Sequence, residues 1–583
     1  MGKNKRKQQK NITIQGTDPY SNPLCYLMVI GPFWMGLFRE YQSLWASVVV
    51  FGILLVVSIR NRELRLYWNA GSVTGCVMLA FSVLSMFIGM LHGEAVYGLL
   101  RIVCMALWVL LIMQLPQEHK DMAFDVIPNV AVIMTLVSAL MYTMGSAADI
   151  VFNNSRMGGF FQYANTFALY LLIALIIVTV KIRPEIEDKK NKNWMDMVKE
   201  YGYPVVLLIG ILWSGSRTTF ILTGIAMLLF IISQKKVRLF YGGMVVLGVV
   251  AVVAYVLLTG NMSGIGRFMT TSLHSSTFLG RILYWKDGLQ MLWKNPMGLG
   301  YMGYYYIQGA TQTGVYETQY IHNEWLQMAL DFGVLFAIGF IILFIYQLTK
   351  VKGYRRWILI FFGLHMMMDF DLQYMVMAWI LLLCMKWDEG NIKALEFDKL
   401  AAIKPCMIAF FVVFVGVAGW LGTANKCYQS GAYEASVSIY PWSLRAQERF
   451  LIAAETAEEY EERALQTLKL YPDNAPALDV MALCAAERGE YLDVLEYKKH
   501  SLMVQKYRTE VYDDFVMMMD DGAKQYKKQK DEKSYQRCVD ALLSTEGMLT
   551  KVKETTNSLA YEINDKPNFE LSEKSKKIIE RYQ

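Results

Sequence analysis

The chain has 583 residues, 55% of them hydrophobic, and a formal net charge of only +6; its mean hydropathy is +0.28. That is too apolar for a water-soluble fold of this length and suits an all-α, polytopic membrane protein with a soluble appendage. The charge matters more by placement than by sum, and no nucleic-acid partner is expected.

The start, Met1-Gly2-Lys3-Asn4-Lys5-Arg6-Lys7, is basic and is not followed by a short apolar run with a small-residue cleavage site. Residues 1–23 therefore read as a retained cytoplasmic leader. Apolar runs at 24–38, 43–59, 72–91, 96–115, 126–144, 160–180, 203–214, 217–233, 237–258, 325–348, 356–370, 373–387 and 404–424 predict about 12–13 spanning helices in a domain over 24–424, judged against the length a bilayer requires. With the N-terminus inside, the loops after the even-numbered spans should be basic. They are: Arg60–Arg65, Gln117–Lys120, the Lys-rich 181–199, Gln234–Arg238, Lys350–Arg356 and 386–404. This parity places a long, mostly polar interval, 260–322, and the C-terminal region on the outer face of the membrane.

Few cations survive on that face, and Arg156, Arg217, Arg267 and Arg281 are the main ones. Arg217, in Ser214-Gly215-Ser216-Arg217-Thr218-Thr219, reads as an interfacial anchor or as part of a polar pocket, and its Ser and Thr neighbours favour the pocket. Arg156 precedes Met157-Gly158-Gly159-Phe160, and Asn165 lies within the next helix, where its amide needs an internal partner. Arg281 opens Arg281-Ile282-Leu283-Tyr284-Trp285, which has the spacing of an amphipathic helix. His322 stands just before a span, with Asn323 as its cap. An imidazole there can take a proton from a hydroxyl, with Glu317, Glu324 or Asp331 to orient it. Met368-Asp369-Phe370-Asp371 adds two carboxylates.

Other chemistries find no support. Gly298-Leu299-Gly300 follows no strand and so is not read as a nucleotide loop. There is no metal-ligand spacing and no serine nucleophile elbow; no metal or cofactor is expected. Cys25, Cys76, Cys104, Cys384 and Cys406 sit in apolar runs as small hydrophobes, while Cys484 and Cys538 in the polar tail could pair. Guanidinium groups bind phosphates bidentately, so arginines and a histidine at the outer surface suit transfer from a lipid-linked diphosphate.

Four stretches carry a family resemblance: Arg156–Phe160 with Asn165; Ser214-Gly215-Ser216-Arg217; Gly280–Trp285 followed by Asn295-Pro296-Met297-Gly298-Leu299-Gly300; and His322-Asn323-Glu324-Trp325-Leu326-Gln327 with Gly333. Their order resembles the O-antigen ligase and O-antigen polymerase superfamily over roughly 70–390. A threonine follows Arg217 where the family often has a small residue. The resemblance implies a glycosyltransferase that moves a glycan from an undecaprenyl-diphosphate donor to an extracytoplasmic glycan, lipid or protein acceptor. It implies that Arg217 and Arg281, and less directly Arg156, contact the diphosphate, that His322 is the base, and that Asp369, Asp371 and Glu324 support it. Ligase and polymerase share these features, and the ligase reading is preferred. A transporter or flippase for an anionic glycan and an inactive scaffold are the rivals.

From about Tyr428 the composition turns charged and helical. Tyr440-Pro441, Tyr471-Pro472 and Ala485–Tyr491 approach the 34-residue tetratricopeptide pattern. Residues 428–554 thus predict a helical repeat domain that recruits a protein partner, followed by a polar, poorly ordered tail over 555–583.

Overall fold

The computed structural model describes residues 22–233, 237–247 and 275–583. Most of them are helical; the strands among them are limited to Glu63–Trp68 paired antiparallel with Asn391–Glu396, and a two-residue pair at Phe152–Asn153 and Arg156–Met157. Six described helices are long and apolar enough to cross a membrane: Glu40–Asn61, Ala70–Ile88, His92–Gln114, Gln117–Tyr142, Ala164–Glu187 and Ile403–Gln429. The protein is an integral membrane protein.

Two helices form the centre. Every residue of Ala164–Ile177 and of Met375–Cys384 is buried, as befits helices that are apolar on all sides. Trp379 stacks on Trp108 of His92–Gln114 at 4.7 Å, and the Trp108 indole donates to the Trp379 carbonyl. Helices at the rim instead leave large apolar side chains outward, Phe87 and Phe410 among them, where lipid rather than water suits them.

Two expected spans are broken, and each break shapes the site. The run 24–38 ends as a helix at Phe33. Pro32 lies in its last turn, and Met35, Gly36 and Leu37 all take positive φ. A Cβ on Gly36 would lie 2.6 Å from the Phe161 ring, so the chain turns tightly there and presents Phe38 and Arg39. The run 325–348 is two helices, Glu324–Phe332 and Val334–Lys350, split at Gly333 with φ +94°. Hydropathy passes through this break because apolar residues, Leu330 and Phe332 before it and Val334 to Phe336 after it, stand directly on both sides. Here the segment Asn295–Gly300 docks backbone to backbone: Leu299 N donates to Leu330 O (2.6 Å), Val334 N to Pro296 O and Met90 N to Leu299 O (both 2.9 Å). A Cβ on Gly298 would lie 2.6 Å from Gly333 N. These glycines allow a splice between chain segments.

The interval 260–322 is less loop-like than expected. It contains the helices Ser276–Lys294 and Gly303–Thr311, and Arg281 lies in the second turn of the first rather than opening it. Residues 260–274, with Arg267, fall outside the described residues, as does the second half, 248–258, of the run 237–258.

The basic loops gather at one end. The two strands pair there, Lys120 binds Asp388 (2.8 Å) and Arg355 binds Asp121 (2.7 Å). At the opposite end, Ile403–Gln429 leads into the C-terminal domain. Its buried Arg445 bridges Glu40 (2.8 Å) and Glu94 (2.7 Å) at the starts of two spanning helices. Consecutive helices Ala457–Leu470, Ala475–Glu487, Tyr491–Val504, Thr509–Gln529 and Glu532–Leu543 then pack on one another in turn; Cys484 and Cys538 are separate thiols. The tail differs from expectation. Glu573–Glu580 is a helix whose Ile578 and Ile579 are buried in the domain core, and the Tyr582 hydroxyl donates to Asp520 (2.8 Å). Its isoleucines at adjacent positions supply an apolar edge that the overall polar composition conceals.

Candidate functional site

The site is organised around Asp369, in the loop between Gly353–His365 and Met375–Cys384. Its side chain is 1% exposed and surrounded by donors. The Tyr163 hydroxyl donates to Oδ1 at 2.8 Å and Asn165 Nδ2 to Oδ2 at 2.6 Å. Phe370 N also donates to Oδ1 (3.0 Å). His322 Nδ1 lies 3.5 Å from Oδ1, at ion-pair distance but without hydrogen-bond geometry. Arg281 Nη2 is 3.6 Å from Oδ2. Burial alone would raise the Asp369 carboxyl; the His322 imidazole, then Arg281 and His365, outweigh it and hold the group well below the usual carboxylate range.

Arg156 extends this network. Its Nη2 donates to Asn165 Oδ1 (2.5 Å) and its Nε to the Ser214 carbonyl (2.8 Å). The need of Asn165 for internal partners is thereby met by Arg156, Tyr163 and Asp369. Ser214 belongs to the turn Ser214-Gly215-Ser216, in which Gly215 has φ +59°. Ser216 Oγ accepts from Thr219 N (3.4 Å) and caps the helix Arg217–Ser233, placing half-buried Arg217 in the first helical turn. A cation there runs against the helix dipole, an arrangement that a bound anion relieves.

His322 has φ +54°, a strained backbone for a non-glycine residue. The surroundings impose it: Asn323 caps Glu324–Phe332 by accepting from Leu326 N (3.1 Å), and Glu324 N donates to Met366 O (2.8 Å). Glu324 does not orient His322, contrary to expectation. Its buried carboxylate accepts from Leu372 N (3.1 Å) and Gln373 Nε2 (3.0 Å), which holds the Asp369 loop against the helix. Asp371 also sits apart: it pairs with buried His365 at 2.6 Å and accepts from Thr166 (3.0 Å), while His365 Nε2 meets Thr219 Oγ1 (3.1 Å). Glu317 faces Arg508 and Tyr305, and Asp331 accepts from Gln327 (2.9 Å).

His322 opens onto a cavity of about 400 Å³. Arg39 and the rings of Tyr163, Tyr320, Phe370 and Tyr374 line it; Tyr163 stacks on Phe370 at 4.8 Å and Phe38 on Tyr374 at 4.7 Å. Arg281 and Arg217 do not line this cavity; Arg281 reaches Asp369 through its other oxygen. The site thus has an imidazole side and a guanidinium side, joined by one carboxylate. Tyr163, His365 and Arg39 were not singled out in the sequence. Tyr163 lies two residues before Asn165, and Arg39 falls between the first two apolar runs, on the face where cations are expected to be few; His365 had no such signal.

These features define a class: a polytopic helical membrane protein with arginines, an imidazole and a buried carboxylate gathered at one end of the bundle. Within that class, residues 203–344 match the family model described as O-Antigen ligase. The match supports the O-antigen ligase superfamily, a glycan-assembly role of the ligase or polymerase kind, and glycosyltransferase-type activity in general. The matched segment includes Arg217, Arg281 and His322 and leaves out Arg156, Asp369 and the C-terminal helices. No curated protein matches the chain.

Proposed function

We propose that the protein transfers a glycan from an undecaprenyl-diphosphate donor to an acceptor at the outer surface of the bacterial plasma membrane. The observation that carries this reading is Asp369, with His322 at one oxygen and Arg281 at the other. Arg281 and Arg217 bind the donor diphosphate on the guanidinium side. His322 Nδ1 is turned to Asp369, so Nε2 is the nitrogen that takes the proton from the acceptor hydroxyl. That oxygen attacks the anomeric carbon of the donor sugar; the bond from this carbon to the diphosphate oxygen breaks, and its electron pair leaves with the undecaprenyl diphosphate. The arginines offset the charge that develops there, and His322 returns its proton to solvent. The reading needs no metal. The gathering of the basic loops at the far end supports the orientation.

The test is transfer from a defined lipid-linked donor in membranes containing His322→Ala. A general base contributes about 10²- to 10⁴-fold, so a loss of that size is expected with the fold intact. Full activity would remove His322 from the role of base. A single product size marks a ligase and a ladder a polymerase; movement of donor across the membrane without a new glycosidic bond would mark a transporter instead.

A further inference from the structure

A second cavity, of about 560 Å³, lies between the helix Gly303–Thr311 and the C-terminal domain. That is within the range of pockets that enclose a small ligand. Arg39, Glu317 and Gln319 line both this cleft and the His322 cavity, so the two adjoin. Its far wall is built from residues of the C-terminal domain, Arg449 and Tyr471 among them.

The lining has a distinct chemistry. Six tyrosines contribute to it, with four arginines set against three carboxylates. The rings are held in place: Tyr305 meets Tyr306 edge to face at 5.1 Å, and Tyr306 meets Tyr471 at 5.9 Å. The hydroxyls are held as well, since Tyr305 donates to Glu317 (3.1 Å) and Tyr306 to Glu448 (2.8 Å). A helical peptide would require an apolar groove with anchors at helical spacing, and a polyanion would require an excess of one charge. Flat rings amid fixed, charge-balanced donors and acceptors instead match a sugar chain, whose rings present C–H faces and whose edges present hydroxyls.

We propose that this interdomain cleft is the acceptor subsite and that its ligand is a glycan chain, which makes the C-terminal domain part of the transfer site. The inference rests on the transfer reading above, in which His322 activates the acceptor and the acceptor must therefore arrive on the imidazole side. The cleft adjoins that side.

The test uses full-length protein in nanodiscs and, as probe, short oligosaccharides released from the surface polysaccharide of the source cells, titrated by calorimetry. Wild type is expected to bind them. Tyr305→Ala and Tyr428→Ala should each weaken binding about tenfold and raise the KM for acceptor far more than they change kcat. Tyr305→Phe and Tyr428→Phe, which keep the ring, should retain most of the binding, and this separates a lost contact from a damaged fold. His322→Ala should bind as wild type while losing transfer. The proposal is overturned if wild type binds no oligosaccharide, if the alanine variants bind as wild type, or if envelope peptides displace the sugar. Full transfer by His322→Ala would instead overturn the base assignment, a separate failure visible in a separate readout.

Discussion

Replacing Asp369 with asparagine removes the negative charge at the centre of the site while keeping the shape of the side chain. The amide presents one acceptor and one donor where two acceptors stood. With its nitrogen at the Oδ2 position, it would face the Asn165 amide nitrogen, 2.6 Å from Oδ2, and the Arg281 guanidinium; donors would oppose donors. With its nitrogen at the Oδ1 position, it opposes one donor, the Phe370 N–H 3.0 Å from Oδ1, but meets the Tyr163 hydroxyl, which can turn to accept, and His322 Nδ1. This second arrangement costs less, and it makes Nδ1 an acceptor and leaves the imidazole proton on Nε2. That nitrogen then cannot take the proton of the acceptor hydroxyl. The expected loss is about 10²- to 10³-fold in transfer rate, within the range for a disabled general base and equal to about 2.7–4 kcal/mol of barrier. Stability should fall by about 1–3 kcal/mol, because a charge-assisted contact is lost but the cavity stays filled. The assay is single-turnover transfer from a labelled lipid-linked donor in membrane vesicles, with thermal unfolding measured in parallel. A rate within about threefold of wild type, with unfolding unchanged, would refute the assignment of Asp369 as the partner that sets the His322 tautomer.

Arg281→Lys keeps the charge and loses the planar fork, so donor affinity should drop by about tenfold or more in a titration with lipid-linked donor. Arg445→Ala leaves Glu40 and Glu94 buried without their cation, at a cost of about 3–5 kcal/mol, and limited proteolysis should then release the C-terminal domain from the membrane. Gly333→Ala forces a Cβ to within 2.8 Å of the Met297 carbonyl oxygen at φ +94°, so unfolding should be easier by about 3 kcal/mol. Because the Asp369 pKa is depressed in the folded state, its contribution is complete above the unfolded value of about 3.9 and is lost as pH falls below it. Wild type should therefore lose more stability than Asp369→Asn between about pH 4 and pH 2 in an acid-unfolding series.

That the chain is a helical integral membrane protein was legible because long apolar runs report directly on the solvent around each segment. The site was legible in part. Arg156, Asn165, Arg281 and His322 stood out as polar groups placed against the local trend, and all of them converge near Asp369. Which carboxylate joins them was not legible. Asp369 and Asp371 are two residues apart in one turn, and only the fold shows that one faces His322 and the other His365. Glu324, beside His322 in the chain, points into the Asp369 loop because the left-handed turn at His322 separates them. Gly333 was hidden for the opposite reason: a single glycine between apolar neighbours, Phe332 and Val334, does not interrupt an apolar run. In the C-terminal domain the helical hairpins left a periodic signal, but their closure against Gly303–Thr311 depends on contacts across more than a hundred residues of chain.

The splice at Gly298 and Gly333 bears on how the protein tolerates its bilayer. Arg281 leads through its helix into Asn295–Gly300, which is hydrogen-bonded to Leu330 and Val334 on either side of Gly333; His322 precedes the helix that ends there. Arg281 and His322 therefore ride on one backbone-locked frame, with Arg217 and Asp369 on other elements. Tilt or mismatch in the surrounding spans, the usual response to a thicker or thinner membrane, moves that frame as a unit. The separation of the Arg281 guanidinium from the His322 imidazole is tied to main-chain bonds, so transfer is expected to change little between membranes of different thickness.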